Sequence, residues 1–483
     1  MSGGPIIVWF RNDLRLHDHP ALTAAVKSGA KIIPLYILDE TSRDHWTLGA
    51  ASKWWLAKSL ASLARDIKRR GNELILRRGD PAHELMRLVA ETDAVAVHVT
   101  RGYEPRSVML EEKLHASLGK SGVAFKRFGG RLLREPEDVR TSSGGSYQVF
   151  TPFWRAFRKD FNLPKALPAP QRIDAIRKAV ASDNISLWAL SPTSPDWSGG
   201  MSATWQPGED GARQRLDHFI AKDLAGYSER RDRLADLGTS RLSPHLAFGE
   251  ISPSACWRAA ANASGKTGTS DQSIEIFLKE LVWREFSHSL LLHFPNMPDE
   301  PLRKEFSAFA WNKSSADLKA WQKGLTGYPI VDAGMRELWA TGYMHNRARM
   351  ITASFLTKHL LHPWTTGEAW FWDTLVDADL ANNAANWQWV AGCGADAAPY
   401  FRIFNPILQG QKFDPDGDYV RCWIPELARL SPPDIHSPWA ASAGELKRAN
   451  VVIGKDYPFP IVDHKTARGR ALAAYENLKS FKR

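Results

Sequence analysis

Two apolar runs, Pro5-Ile6-Ile7-Val8-Trp9-Phe10 and Lys31-Ile32-Ile33-Pro34-Leu35-Tyr36-Ile37-Leu38, decide how the first part of the chain is read. Both are short and lack polar alternation, the pattern of strands covered on two faces. Working outward, residues 21–28 between them read as a helix. Residues 50–70 read as a longer one, with Leu56, Leu60, Leu63 and Ile67 returning at three- and four-residue steps. Further strands are expected at 73–76, 94–99 and 123–128, with helices opening at Pro81 and Pro105 between them. Strands separated by helices predict a parallel sheet with right-handed crossovers. Residues 1–130 are therefore assigned to a Rossmann-like α/β domain. No G-x-G-x-x-G follows an early strand, so a dinucleotide, if one binds, binds elsewhere.

The pattern then changes. Residues 131–207 contain Ser142-Ser143-Gly144-Gly145-Ser146 and prolines at 164, 168, 170, 192, 195 and 207, which reads as a connector with one short helix near 174–181. From 208 to 483 the spacing is helical, with helices expected at 210–225, 273–293, 317–323, 332–361 and 366–373. The fold class is thus an α/β domain followed by an all-α domain.

Composition narrows the function. Of 483 residues, 43% are hydrophobic and 24% charged, as in soluble globular proteins. No run of about 18 apolar residues occurs, which excludes a membrane-spanning helix. The N-terminus shows no secretory leader. Cys256, Cys393 and Cys422 are scattered and lack C-x-x-C spacing, so the expectation is a reducing cytoplasm and no metal site. A net charge of +10 suits a polyanionic partner, although a basic surface with no such partner gives the same arithmetic. Twenty tryptophans against ten tyrosines exceed ordinary use and suggest stacking or electron transfer besides packing.

Several segments carry chemistry. In Gly238-Thr239-Ser240-Arg241-Leu242-Ser243-Pro244, amides, hydroxyls and a guanidinium precede a helix, which suits a phosphate but also an ordinary helix cap. Glu280, Trp283 and Arg284 share a helix face, either as an intrahelical ion pair around a core tryptophan or as an acid beside a stacking platform for a base. Asn346 and Met350 share a face, with Arg349 to one side. Asp377 and Asp379 lie close together without other metal-ligand residues near them in sequence, and Arg349 can satisfy one of them. On a helix Trp387 and Trp389 point about 200° apart, so their rings face different surroundings.

Together these stretches resemble the photolyase/cryptochrome family. The likeness rests on WFRNDLRLHDHPAL (9–22), GTSRLSPHLAFGEISP (238–253), ELVWREF (280–286), TGYPIVDAGMREL (326–338), GYMHNRARM (342–350), DADLANNAANWQW (377–389) and APYFRIFNP (398–406). The resemblance implies an N-terminal antenna domain and a helical domain that binds FAD. It implies light-driven repair of cyclobutane pyrimidine dimers in DNA, with a cryptochrome-like blue-light receptor as the alternative. FAD would be held by Tyr227, Thr239, Ser240, Arg241, Leu242, Ser243, Phe277, Arg349, Asp377, Ala378, Asp379 and Asn383. Arg349 would pair with Asp377, Asp379 would meet the polar edge of the flavin, and Asn383 would face its N5.

The lesion and its DNA would meet Arg231, Glu280, Trp283, Arg284, Asn346, Arg347, Met350, Trp389, Arg402 and Gln409. Glu280, Asn383, Arg349 and Asp377 would be the catalytic set. Trp387, Trp364 and Trp311 would carry electrons to the flavin. Asn383 and Met350 favour dimer repair, whereas residues 49–63 look closer to plant cryptochromes. Folate-type bacterial enzymes carry a binding Asn-Glu pair where this chain has Arg106-Ser107. The antenna is therefore expected to be methenyltetrahydrofolate held differently, with a deazaflavin or an empty site as the alternatives. A monomer with no metal and no membrane partner completes the expectation.

Overall fold

The computed structural model describes residues 3–41, 46–265, 270–312, 314–397 and 401–480. It divides into two compact units. The first comprises residues 1–225, 240–295 and 376–379, and the second 226–239, 296–375 and 380–483.

The first unit holds five parallel strands, β1 (Ile6–Phe10), β2 (Ile32–Leu38), β3 (Ile75–Arg78), β4 (Ala96–Thr100) and β5 (Ala124–Phe128), in the order β3-β2-β1-β4-β5. The order reverses between β1 and β4, so their carboxyl ends flank a switch point of the kind where open parallel sheets bind ligands. Helices α1 (Pro20–Lys27), α2 (Ala50–Lys68), α3 (Pro81–Thr92) and α4 (Pro105–Lys120) form the crossovers. Helix α3 starts where Asp80 accepts the His83 N–H at 2.8 Å and Pro81 presets the first turn. Apolar residues of β1, β2 and β4 meet Leu85, Leu88, Leu114 and Leu118 in one core.

The connector departs from expectation twice. Residues 174–181 are not helical. Ile32 N–H donates to Asp174 O at 2.8 Å, Ala175 bridges to Ile32, and Ile173 N–H donates to Arg70 O at 2.9 Å. The spacing of Ile173, Ile176 and Val180 imitates a helix, but the backbone finds its partners along the sheet domain instead. Conversely, α5 (Phe150–Arg158) was not expected; Phe150, Phe153, Trp154 and Phe157 form its buried stripe. Helix α6 (Asp271–His293) completes the first unit's functional frame.

In the second unit, the single helix expected at 332–361 is broken. Helix α7 (Pro329–Thr341) ends at Gly342, whose φ of +66° is the left-handed cap that glycine adopts without strain. Helix α8 (Asn346–Ser354) restarts where the His345 ring accepts the Arg347 N–H at 3.1 Å, and a π-helical turn follows at Phe355–His359. The break removes Tyr343 from the helix and puts Asn346 in its first turn. Helices α9 (Trp364–Thr374) and α10 (Leu380–Ala391) pack together. No described helix is long and apolar enough to cross a membrane.

Candidate flavin- and lesion-binding site

Helix α6 carries several of the first unit's candidate residues. Phe277 is buried and lies 4.8 Å from the Phe219 ring, Glu280 is half-buried, and Trp283 is half-buried one turn on. Phe150 of α5 stacks on one face of Trp283 at 3.6 Å with 7° between planes. That contact, together with Phe286 edge-on at 5.7 Å, holds the indole in place. Sequence reasoning missed Phe150 as the residue packed on Trp283, although the aromatic stripe of 150–157 was there to be read.

Arg284 requires a correction. It was expected at DNA, but it is buried, with Nη1 donating to the Arg131 carbonyl at 2.8 Å and lying 3.6 Å from Glu285. Its burial, and not the single carbonyl bond, keeps the guanidinium from reaching a DNA backbone.

Glu285 accepts the Leu133 N–H at 2.8 Å, and burial pushes its carboxyl up to about 8. An acid with a raised folded pKa stabilises the fold fully below its ordinary value of 4.5 and loses that contribution as pH rises through about 8. Glu285→Gln keeps the acceptor and cannot ionise. Its stability relative to the parent should therefore rise between pH 5 and 9 by up to a few kcal/mol, at about 1.4 kcal/mol per pKa unit. Denaturant unfolding across that range checks this, and a flat difference refutes it.

Asp377 and Asp379 are both buried, with Ala378 half-buried between them. Asp379 Oδ2 lies 3.4 Å from both Arg131 Nη2 and His288 Nε2. Burial alone would raise its pKa, yet His288, Arg131 and Arg284 hold it far below the usual carboxylate range. In the loop before residue 244, Arg241 adopts a φ of +51° with its guanidinium 4.8 Å from the Trp205 ring. Ser240 Oγ accepts the Leu242 N–H at 3.4 Å, Leu242 is buried and Ser243 is exposed.

The second unit has candidate residues of its own. Tyr227 is buried under the Arg231 guanidinium at 5.4 Å, and Thr239 is half-buried. Asn346 is exposed at the start of α8. Arg347 pairs with Asp232 at 2.8 Å, lies 4.4 Å from the Phe413 ring and reaches Met350 Sδ at 3.5 Å. Arg349 donates to the Met344 carbonyl at 2.7 Å. On α10, Asn383 donates its amide N–H to the Glu368 carbonyl at 3.0 Å, which fixes which way the amide oxygen points.

Trp387 is buried against Phe371 at 4.9 Å and Trp321 at 6.3 Å, whereas half-buried Trp389 donates to Asp396 O at 3.0 Å. Trp389 and Arg402 line one small pocket with Ser354, Lys358, Gly392 and Phe404. Gln409 is half-buried on the helix Pro406–Phe413. Trp364 is buried and Trp311 half-buried, 4.4 Å from the Phe309 ring. Residues 398–400 of the APYFRIFNP stretch lie outside the described residues.

Not all tryptophans serve this site. Trp55 donates to Glu250 at 3.0 Å and packs against Trp205 and His245, as structural core of the first unit.

Comparisons with known proteins place the chain as a whole. Residues 6–171 match the family model described as DNA photolyase, and residues 277–477 match the FAD binding domain of DNA photolyase. The chain is 51% identical over 479 residues to the deoxyribodipyrimidine photo-lyase of Agrobacterium fabrum, covering 99% of each. It is 38% identical to Arabidopsis thaliana Cryptochrome-1, covering 97% of this chain and 70% of that one. The crystal structure of a bacterial class III photolyase from Agrobacterium tumefaciens superposes with a TM-score of 0.96 at 50% identity, covering 99% and 98% of the two chains. With its parallel-sheet domain, its helical FAD-binding domain and these relatives, the chain belongs to the photolyase/cryptochrome family.

Proposed function

We propose that this protein is a deoxyribodipyrimidine photolyase, a light-driven lyase that repairs cyclobutane pyrimidine dimers in DNA. The observation that carries the reading is Trp283, held rigid by Phe150 with one face covered and the indole half-exposed on the helix that also bears Glu280. A dimer inside a duplex is out of reach and must be flipped out, at a cost of a few kcal/mol that weakened stacking at the lesion lowers. An aromatic platform returns roughly 1–3 kcal/mol per stacked base.

The donor set fits FAD. Ser240 and Arg241 offer a hydroxyl and a guanidinium to phosphates, Asp379 offers an ionised carboxylate to ring N–H groups, and Asn383 offers a fixed amide oxygen. Reduced flavin, when bound, supplies on illumination the electron that splits the dimer and takes it back afterwards. The chain's own residues do the rest. Tyr227, Thr239 to Ser243, Phe277, Arg349, Asp377, Ala378, Asp379 and Asn383 hold the cofactor. Glu280, Trp283, Asn346, Met350 and Trp389 hold the flipped bases, and Arg231, Arg347, Arg402 and Gln409 hold the strand without reading sequence. Trp311, Trp364 and Trp387 supply the reducing electron.

For the antenna we favour methenyltetrahydrofolate, bound differently from folate-type bacterial enzymes. Arg106, standing where those carry a binding Asn, is ion-paired with Asp39. The antenna belongs to residues 1–130, the connector to 131–207 and the repair machinery to 208–483. The protein works as a monomer in the cytoplasm.

The deciding experiment follows recovery of thymine absorbance in a thymine-dimer oligonucleotide with reduced protein, in blue light and in the dark. Light-dependent recovery is expected. No recovery with a bound, photoreducible flavin would overturn repair and favour the receptor reading, which the cryptochrome likeness of residues 49–63 supports.

A further inference from the structure

Asp379 stands at one end of a chain of charge that begins in the parallel-sheet domain. Glu104, just beyond the carboxyl end of β4, places Oε1 2.6 Å from Arg131 Nη1. Arg131, just beyond β5, reaches Asp379 Oδ2 at 3.4 Å with its other terminal nitrogen, and His288 of α6 lies 3.4 Å from the same oxygen. Arg131, His288 and Asp379 are each at most 6% exposed. The His288 ring is itself oriented, since its Nδ1 donates to the Arg284 carbonyl at 3.0 Å.

A buried carboxylate stays charged only when it is paired and hydrogen-bonded. The state of this one matters, because a carboxylate accepts with both oxygens and carries the charge that strengthens its bond to an N–H, whereas a carboxylic acid turns one oxygen into a donor. We propose that Arg131 and His288 are positioning residues for the flavin-facing carboxylate, holding Asp379 ionised and in one orientation, and that Glu104 divides Arg131's charge between the sheet edge and the flavin site. The proposal rests on the reading that Asp379 meets the flavin. Glu104 is kept charged mainly by Arg131 against its own burial, so it draws on the same guanidinium as Asp379. The Arg284 guanidinium also acts on Asp379 and lowers its pKa further. None of this was visible in sequence, where Glu104, Arg131, His288 and Asp379 are far apart.

The test uses the full flavin-loaded chain, with FAD affinity read from the fluorescence of released flavin and stability from thermal melting. Arg131→Met should weaken FAD binding at least about tenfold, because it uncovers a buried charge. Arg131→Lys should recover most of that loss. Glu104→Gln should leave affinity no weaker and raise it by up to a few fold, since Arg131 then serves Asp379 alone. A merely structural ion pair would instead make Arg131→Met and Glu104→Gln lose stability and flavin alike, and that result overturns the proposal. Should Arg131→Met fail to fold, the Glu104→Gln/Arg131→Met double variant removes both charges, and native flavin affinity in it overturns the proposal equally. Asp379→Asn with undiminished flavin would sink the underlying reading. Weak flavin in Asp379→Asn with native affinity in Arg131→Met would sink this inference alone.

Discussion

Trp283→Ala should weaken binding to dimer-containing DNA about 10- to 100-fold while flavin content stays at the parent level. The size follows from a stacked base being worth about 1–3 kcal/mol, with tenfold in affinity per 1.4 kcal/mol. The indole earns that full value because Phe150, 3.6 Å away and nearly parallel, already fixes it, so little side-chain entropy is left to lose when a base arrives. Truncation leaves Phe150 behind a hole instead of a platform. Gel-shift titration with a thymine-dimer oligonucleotide, alongside the visible flavin absorbance, checks both halves. Loss of flavin with unchanged lesion affinity would contradict the placement.

Gly367→Ala should be the most damaging single-methyl change near the proposed electron route. A Cβ there would lie 2.1 Å from Trp387 Cη2 and 2.6 Å from Leu356 Cδ2, far inside contact distance. Trp387 has nowhere to retreat, since Phe371 and Trp321 pack against it at 4.9 and 6.3 Å. Overpacking of this kind costs about 1–3 kcal/mol and moves the ring. Blue-light reduction of the bound flavin should therefore slow markedly, while repair by chemically reduced protein survives. A lower melting temperature with unchanged photoreduction would place the electron route away from Trp387. Trp387→Phe, which keeps most of the packing, separates the two causes.

Much of the fold was legible because its signals are local. The runs at Ile6–Phe10 and Ile32–Leu38 are strands since their residues fit a sheet covered on both faces, and β3 to β5 differ from expectation only by a residue or two at their ends. The break at Gly342 was also written in the chain, because a glycine followed by Tyr-Met-His-Asn carries both a stop and a fresh cap; it was overlooked because the apolar spacing continues through it. Residues 174–181 misled for the opposite reason. Apolar residues at helical spacing cannot say whether their backbone will bond to itself or to a neighbouring segment.

The sequence by itself determined the family and the parallel-sheet and helical domains, since those properties follow from residue type, spacing and motif order. Only the tertiary structure decided what each charged or aromatic side chain is committed to. Arg284 left the DNA-binding set for a buried carbonyl, Trp283 gained Phe150 behind it, and Asp379 met Arg131 and His288. The physical reason is that burial makes partners obligatory for charge and close packing obligatory for rings. Which partner answers depends on segments brought together in space, and that is not encoded in any local pattern.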